Sequence, residues 1–410
     1  MRVLWFTNTP SNYQRGDVRG HNGGGWIVSA EEEMKQVPEI ELAVSFVLDG
    51  QPERVVQGGV VYYPIKKIGS RFTNIFNPKK LWVEQITAMK KVIEDFNPDI
   101  IQIFGSEEYF GLIANQIDIP VVLHIQGILN PYLNAFFIPG VSVKDYICQN
   151  FNPKKLISNI LGLKNFRKGS QREVEIMRRV KYFIGRTDWD FRCTKVMNPN
   201  SKYFYGSEIL RKVFYDNSIR NIPLRKVIIT TTISQPLYKG FDLVLKTANL
   251  LKENLDFEFS WRVFGNINPK VAERIANTKC KDVNVELCGV ATSEQLHQEL
   301  LNSTIYVHTS YIDNSPNSVC EAQLMGLPVI VTHVGGTYSL IEEGVTGFSV
   351  PANDPYQMAY FINKLRDKDL NTQIGANARK IALKRHDKKN IISELIKTYM
   401  SVIADYTNNK

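Results

Sequence analysis

The feature that most constrains the fold of this chain is a regular alternation of strand-like and helix-like segments, which stops near the middle and then starts again. In the first half, short apolar segments that predict strands lie at Val3–Phe6, Leu42–Leu48, Val60–Pro64, Asp99–Phe104 and Pro120–Ile125. Segments with helical spacing of apolar residues lie between them, at Trp26–Val37, Leu81–Phe96 and Tyr109–Gln116. This alternation favours a parallel sheet with helices on both faces.

The alternation restarts after a polar segment at 216–225, which contains Pro223 and predicts a hinge. Strands are predicted at Lys226–Thr232, Ser260–Phe264, Val283–Leu287, Thr304–Val307 and Pro328–Thr332, and helices at Phe241–Glu253, Ser293–Leu301 and Val319–Met325. We therefore predict an α/β chain of two doubly wound parallel-sheet domains, 1–216 and 217–387, which face each other across a cleft. A long amphipathic helix at 388–404 is expected to pack back on the first domain. Ligands of such sheets bind beyond the carboxyl ends of the strands.

Composition excludes several classes of protein. The 410 residues are 43% hydrophobic and 22% charged, which excludes a disordered or collagen-like chain. The five cysteines include no Cys-x-x-Cys pair, so neither a disulfide framework nor a zinc ribbon is indicated, and we expect reduced thiols in a cytoplasmic protein. No apolar run reaches the roughly 20 residues of a transmembrane helix, and the first residues lack the features of a signal peptide.

The most informative stretch runs from Tyr311 to Phe348. A predicted strand ends near Ser310, and a helix follows a loop of small polar residues, namely Asn314, Ser315, Pro316, Asn317 and Ser318. The free N–H groups and the dipole of such a helix start favour an anion. Asp313 and Glu321 bracket the loop, and Glu321 lies about one turn into the helix, within reach of hydroxyls on a ligand whose phosphates sit on the loop. Gly335-Gly336 allows a second backbone turn to approach closely.

This stretch resembles the donor-binding signature of family-4 retaining glycosyltransferases of the GT-B fold. Their pattern is Glu-x7-Glu, then small-Gly-x-Pro-Val, then Gly-Gly, and this chain has Asp313-x7-Glu321, Gly326-Leu-Pro-Val and Gly335-Gly336. The resemblance covers about 226–348, whereas the first half matches in outline only. It implies that Glu321 binds the nucleotide ribose and that Asp313 contacts the transferred sugar. Asp313 stands where the family has Glu, which shortens the arm by one methylene.

Further site residues follow from the same resemblance. The family carries Arg-x4-Lys-Gly, with both cations on the donor diphosphate; this chain keeps Lys239-Gly240 but has Ser234 at the arginine position. His124, at the end of a buried strand, resembles the family's histidine near the transferred sugar. Gly24 and Gly25, before a helix, resemble its N-terminal glycine turn. The predicted donor-binding set is completed by Val290 and the loop residues 314–318.

Two groups of charged residues in the first half suggest contacts with an acceptor or a surface. Arg15, Arg19, Glu107 and Glu108 lie in loops at predicted strand ends and are candidate acceptor contacts. The segment 153–186 is strongly basic and begins with a helical pattern whose apolar face carries Leu156, Ile157, Ile160 and Leu161. A basic amphipathic helix can lie in an anionic membrane interface. The alternative is that this face packs on its own domain and the cations are solvated.

The sequence thus predicts a cytoplasmic glycosyltransferase, with a peripheral contact to the inner face of the membrane as one of its two interpretations of segment 153–186. It would move a sugar from a nucleoside-diphosphate sugar to a hydroxyl of a glycan or lipid-linked glycan, with retention of configuration, in cell-surface polysaccharide synthesis. No metal, cofactor or nucleic-acid partner is expected, since no metal-ligand spacing, Walker loop or recognition-helix pattern occurs. Two alternatives are a GT-B nucleotide-sugar epimerase and a non-catalytic sugar-nucleotide-binding protein, which the missing arginine at Ser234 would suit.

Overall fold

The computed structural model describes residues 1–14, 25–50, 53–69, 71–148, 152–216, 220, 226–234 and 237–409. The strands are β1 Arg2–Thr7, β2 Glu41–Leu48, β3 Val55–Gln57, β4 Val60–Lys66, β5 Ile100–Phe104, β6 Val121–His124, β7 Tyr182–Gly185, β8 Lys202–Tyr205, β9 Val227–Thr232, β10 Phe259–Phe264, β11 Val285–Gly289, β12 Ile305–His308, β13 Val329–Thr332 and β14 Gly347–Val350. The α-helices are α1 Gly25–Met34, α2 Arg71–Phe76, α3 Pro78–Phe96, α4 Leu129–Asn134, α5 Val143–Ile147, α6 Pro153–Arg179, α7 Asp188–Met197, α8 Phe241–Asn254, α9 Lys270–Ala276, α10 Ser293–Leu301, α11 Asn317–Leu324, α12 Pro355–Lys364, α13 Lys368–Arg385 and α14 Lys388–Asn408.

The chain forms two compact units. The N-terminal unit comprises residues 1–133, 160–209 and 386–410, and the C-terminal unit comprises 134–159 and 210–385. These units differ from the sequence-based limits of 1–216 and 217–387, chiefly because residues 134–159 group with the C-terminal unit. Helix α14 falls in the N-terminal unit, although it follows the C-terminal unit in the sequence.

The N-terminal unit is built on an eight-stranded sheet with the order β3-β4-β2-β1-β5-β6-β7-β8. Its strands pair in parallel, except that β3 and β4 pair antiparallel. Successive residues of β1 enter different cores, with Leu4 and Phe6 in one and Val3 and Trp5 in the other. Helix α14 contributes to the core that contains Trp5. Both faces of the sheet are therefore covered, as the continuous apolar strands require.

The C-terminal unit is built on a six-stranded parallel sheet with the order β11-β10-β9-β12-β13-β14. Counted along this unit, that is the doubly wound order 3-2-1-4-5-6. The order reverses between β9 and β12, so a crevice for ligands is expected beyond the carboxyl ends of these two strands. In the N-terminal sheet the order reverses in the same way between β1 and β5.

The two-domain parallel-sheet prediction is confirmed, but several local predictions change. The helix predicted at Tyr109–Gln116 shrinks to a 3-10 turn at Phe110–Ile113. The amphipathic pattern near 153–168 is the start of the much longer helix α6. Most of the predicted hinge at 216–225 lies outside the described residues. Among the residues that are described, no helix is both long enough and apolar enough to cross a membrane.

Candidate functional site

The motif residues of the C-terminal unit meet beyond β9 and β12, where the strand order reverses. Lys239 lies in the turn between β9 and α8, and Asp313 lies in the loop between β12 and α11. The backbones of the two loops touch, since a Cβ on Gly240 would lie 2.0 Å from the carbonyl oxygen of Thr309. A Cβ on Gly335 would likewise lie 1.9 Å from the carbonyl oxygen of Asp313, and both glycines have positive φ. The predicted close approach of the Gly335-Gly336 turn is thus confirmed.

Asp313 forms the centre of a buried charge cluster. Its Oδ2 lies 2.6 Å from the Lys239 ammonium and 3.1 Å from His308 Nε2, and the residue is 7% exposed. Burial opposes ionisation, but the Lys239 ammonium and the His308 ring outweigh it and hold the pKa of Asp313 well below its usual range. The carboxyl is therefore ionised at neutral pH, and it fixes the position of the Lys239 ammonium.

Glu321, in α11, is held by an arginine that the motif analysis did not select. Arg211 donates from Nε to Glu321 Oε1 and from Nη2 to Oε2, each at 2.7 Å. The arginine also lies over the Phe214 ring, 4.8 Å from its centroid, and its Nη1 lies 3.4 Å from Ser293 Oγ. Glu321 is 2% exposed. This two-point geometry sets the plane of the carboxylate.

The loop between these acids begins helix α11 without a side-chain cap. Its N-cap residue Pro316 makes no side-chain hydrogen bond, whereas the Asn314 N–H donates to Asp313 Oδ1 at 3.1 Å. Asn314 and Ser315 are buried, and Pro316, Asn317 and Ser318 are half-buried. The uncapped helix start, next to Lys239, gives this edge of the sheet the features of an anion-binding site.

The structure describes three of the other positions that the resemblance assigns to the donor site, namely Val290, Ser234 and Gly25. Val290 follows β11, is 65% exposed and lines a pocket of about 670 Å³ together with Phe264 and Ala291. Ser234, at the position where the resemblance expects arginine, is exposed. Gly25 is the first residue of α1, while Gly24, Arg15 and Arg19 lie outside the described residues.

His124, the last residue of β6, is packed among aromatic rings in the N-terminal unit. Its ring lies 5.1 Å from that of Trp26 and 5.9 Å from that of Phe104, and the residue is 4% exposed. Burial and the nearby Arg186 guanidinium lower the pKa of His124 to about 3. The ring is therefore neutral at physiological pH, which suits a hydrogen-bonding role.

Glu107 and Glu108 line a pocket of about 390 Å³ in the N-terminal unit, beyond the ends of β1 and β5. Its lining is a mixture of charged, polar and apolar residues, namely Thr7, Asn8, Val47, Lys67, Ile68, Gly69, Leu81, Gln85, Glu107, Glu108, Tyr109, Phe110, Leu129, Asn165, Phe166, Gly169 and Arg172. Burial raises the pKa of Glu107 to about 7, and its Oε1 accepts from the Gly127 N–H at 3.2 Å. Arg172, which the sequence analysis missed, donates to the Glu107 carbonyl oxygen.

Much of the C-terminal unit is similar in sequence to known glycosyltransferases. Residues 225–368 match the family model for glycosyl transferases group 1. A curated relative, the amylovoran biosynthesis glycosyltransferase AmsK of Erwinia amylovora, is 25% identical over 134 residues, which is 31% of this chain and 33% of that protein. The chain thus aligns with about a third of the length of this relative.

Solved structures match over nearly the whole chain. Sucrose-phosphate synthase from Thermosynechococcus elongatus has a TM-score of 0.73 at 12% identity and covers 98% of this chain and 99% of its own. Anabaena Alr3699/HepE in complex with UDP and glucose has a TM-score of 0.65 at 16% identity and covers 98% and 100%. Together with the two doubly wound sheets, these similarities establish the GT-B fold.

Proposed function

We propose that this chain is a retaining glycosyltransferase that moves a sugar from a nucleoside-diphosphate sugar to a hydroxyl of a glycan or lipid-linked glycan, in cell-surface polysaccharide synthesis. The proposal rests on one observation: the C-terminal unit brings together Lys239, Asp313, the 314–318 loop and Glu321 at the point where the strand order of its sheet reverses. The match of 225–368 to glycosyl transferases group 1 supports it, as does the UDP named in the Alr3699/HepE complex.

In this proposal each side chain of the C-terminal unit has one task. Glu321, fixed by Arg211, accepts hydrogen bonds from the ribose hydroxyls. Lys239 and the N–H groups at the start of α11 stabilise the diphosphate as it departs, when its negative charge grows. Asp313 holds the Lys239 ammonium and faces the sugar. An oxygen of the leaving phosphate can take the proton of the attacking hydroxyl on the same face of the sugar, so no separate base is needed.

The acceptor is proposed to bind in the N-terminal pocket that Glu107 and Glu108 line. Carboxylate, amide and guanidinium groups at Glu107, Gln85 and Arg172 can bond several hydroxyls, and Phe110 and Phe166 offer apolar walls for ring faces. This combination suits a carbohydrate. Gln85→Leu should raise the KM for the acceptor and leave hydrolysis of the nucleotide sugar in the absence of acceptor unchanged. An unchanged acceptor KM would move the acceptor to another surface.

The basic start of α6 is proposed as a peripheral membrane contact. Ile157 is 55% exposed, Lys154 and Lys155 beside it are exposed, and Leu156 is half-buried. Each basic residue near an anionic surface contributes about 1 kcal/mol, and salt screens it. At low salt the wild type should sediment with anionic vesicles, whereas Ile157→Ser should remain in the supernatant. The control Val196→Ser, which changes a valine that is 83% exposed on α7, should sediment as the wild type does. Equal sedimentation with neutral vesicles would contradict the proposal.

The reaction is tested by incubating the protein with a panel of nucleotide sugars, with and without glycan acceptors, and measuring diphosphate release. A transferase releases diphosphate faster when its acceptor is present, whereas an epimerase would convert a donor without any acceptor.

A non-catalytic nucleotide-sugar-binding protein is the second candidate, because exposed Ser234 supplies no cation. It would bind a nucleotide sugar and release no diphosphate with any acceptor. In that case Ser234→Arg, which supplies the second cation that the resemblance expects, is the variant that should gain turnover.

A further inference from the structure

A continuous buried chain of hydrogen bonds connects the C-terminal helix to His124 within the N-terminal unit. Trp5 Nε1 donates to Tyr399 Oη at 3.0 Å, Tyr399 Oη donates to Gln102 Oε1, and Gln102 Nε2 lies 3.3 Å from His124 Nδ1. The first three residues have no exposed surface, and His124 is 4% exposed. These hydrogen bonds link β1 to α14, α14 to β5, and β5 to β6.

The bond directions in this network are set by the Trp5 N–H together with the single hydrogen of the Tyr399 hydroxyl. An indole N–H can only donate, so the Tyr399 oxygen accepts, and the single phenol hydrogen is left for Gln102 Oε1. That bond fixes the Gln102 amide with its NH₂ group toward His124. An amide NH₂ can only donate, so His124 Nδ1 accepts and carries no proton. In a neutral imidazole the proton must then be on Nε2.

We propose that Tyr399 and Gln102 are positioning residues that hold His124 as its Nε2–H tautomer, so that His124 offers a hydrogen-bond donor to an oxygen atom of a bound ligand. The Nε2 atom is buried and finds no hydrogen-bond partner among the described residues. Low pKa keeps the ring neutral, so this donor persists at physiological pH. That the ligand is the sugar donor rests on the proposed function, whereas the tautomer does not.

In this proposal α14 not only covers the sheet but also determines which nitrogen of His124 carries the proton. Without the Tyr399 hydroxyl, Gln102 Oε1 would lose the hydrogen bond that orients the amide. The amide could then rotate and place its oxygen toward His124 Nδ1. The histidine would then shift its proton to Nδ1, and Nε2 would become an acceptor. A substitution on the last helix of the chain would thereby change the chemistry of a residue at the end of β6.

Nitrogen NMR of the full-length protein with labelled histidine tests the tautomer directly, with the His124 signal assigned by its absence in His124→Asn. In the wild type at neutral pH we expect a protonated Nε2 and an unprotonated Nδ1. Gln102→Glu should invert this pattern, because a carboxylate accepts from Nδ1–H, and Tyr399→Phe should mix the two tautomers. Tyr406→Phe, which removes a hydroxyl of the same helix that bonds Asp118 at 3.1 Å, should change nothing.

A protonated Nδ1 in the wild type, or an unchanged tautomer in both Gln102→Glu and Tyr399→Phe, would overturn the proposal. Since both variants are judged by the signal of folded protein, one of them suffices if the other fails to fold. Loss of the Nε2 donor should also weaken nucleotide-sugar binding about tenfold, the equivalent of one hydrogen bond. If the tautomer is as assigned but no nucleotide sugar binds, only the proposed function fails.

Discussion

Replacing Arg211 with methionine should destabilise the C-terminal unit, because Glu321 would be left as a buried charge without its two-point partner. The Glu321 side chain is 3% exposed and that of Arg211 is 23% exposed. Removing one partner of a buried pair costs about 3–5 kcal/mol, and the partial exposure of the arginine places the expected loss near the lower limit. Arg274→Met is the matched control, because the Arg274–Asp145 pair has the same 2.7 Å separation but side chains 55% and 26% exposed, and such pairs contribute about 0–1 kcal/mol.

The assay is hydrogen exchange of peptides spanning β12 and α11, which reports the free energy of opening around Glu321. Arg211→Met should lower that free energy much more than Arg274→Met does. The double variant Arg211→Met with Glu321→Gln should recover part of the loss, because the buried charge is gone. Equal protection in the two arginine variants, or purely additive losses in the double variant, would refute the argument that Arg211 neutralises Glu321.

Three further predictions concern the charges of the site. Lys239→Ala should lower kcat more than it raises the KM for the nucleotide sugar, because the charge on the leaving diphosphate grows in the transition state; equal effects on both would contradict this. Diphosphate release should continue in excess chelator, and its loss with recovery by magnesium would require a metal at the phosphate site. Because the pKa of Glu107 is raised to about 7, its contribution to the free energy of unfolding is complete below about pH 4.5 and is lost as pH rises through 7. The stability of the wild type relative to Glu107→Gln, measured by urea unfolding, should therefore fall from pH 5 to pH 8, and a flat difference would contradict the raised pKa.

The sequence predicts five of the six strands of the C-terminal sheet, because β9, β10, β12 and β13 are largely buried and alternate with helices along the chain. Helix α10 has the predicted limits, and α8 differs from them by one residue. Burial on both faces produces continuous apolar runs, which are visible without any tertiary information. The short edge strand β3 and the 3-10 turn at Phe110–Ile113 are set by local packing, and their sequences carry no clear period.

The candidate site likewise contains some residues that the sequence predicts and others that it does not. Asp313, Glu321 and Lys239 were found because they stand at fixed spacing beside glycines that the loop geometry requires. Arg211 and Arg172 were missed because the role of each depends on a partner far away in the sequence; Arg211 and Glu321 are 110 positions apart, and Arg172 and Glu107 are 65 apart. His308 lies near Asp313 in the sequence, but it is a single histidine in the buried strand β12, outside the motif. The chain from Trp5 through Tyr399 to His124 likewise joins four elements, and no local pattern could indicate it.

The central claim, a nucleoside-diphosphate site beyond β9 and β12, is tested most directly by calorimetric titration of Lys239→Ala and Glu321→Gln with nucleosides and with their diphosphates. Lys239→Ala should weaken binding of the diphosphate and leave binding of the nucleoside unchanged, because it removes a contact to phosphate alone. Glu321→Gln should weaken both by about ten- to hundredfold, the equivalent of a hydrogen bond to a charged group. If both variants bind nucleoside and diphosphate as tightly as the wild type does, the nucleotide does not bind at this site.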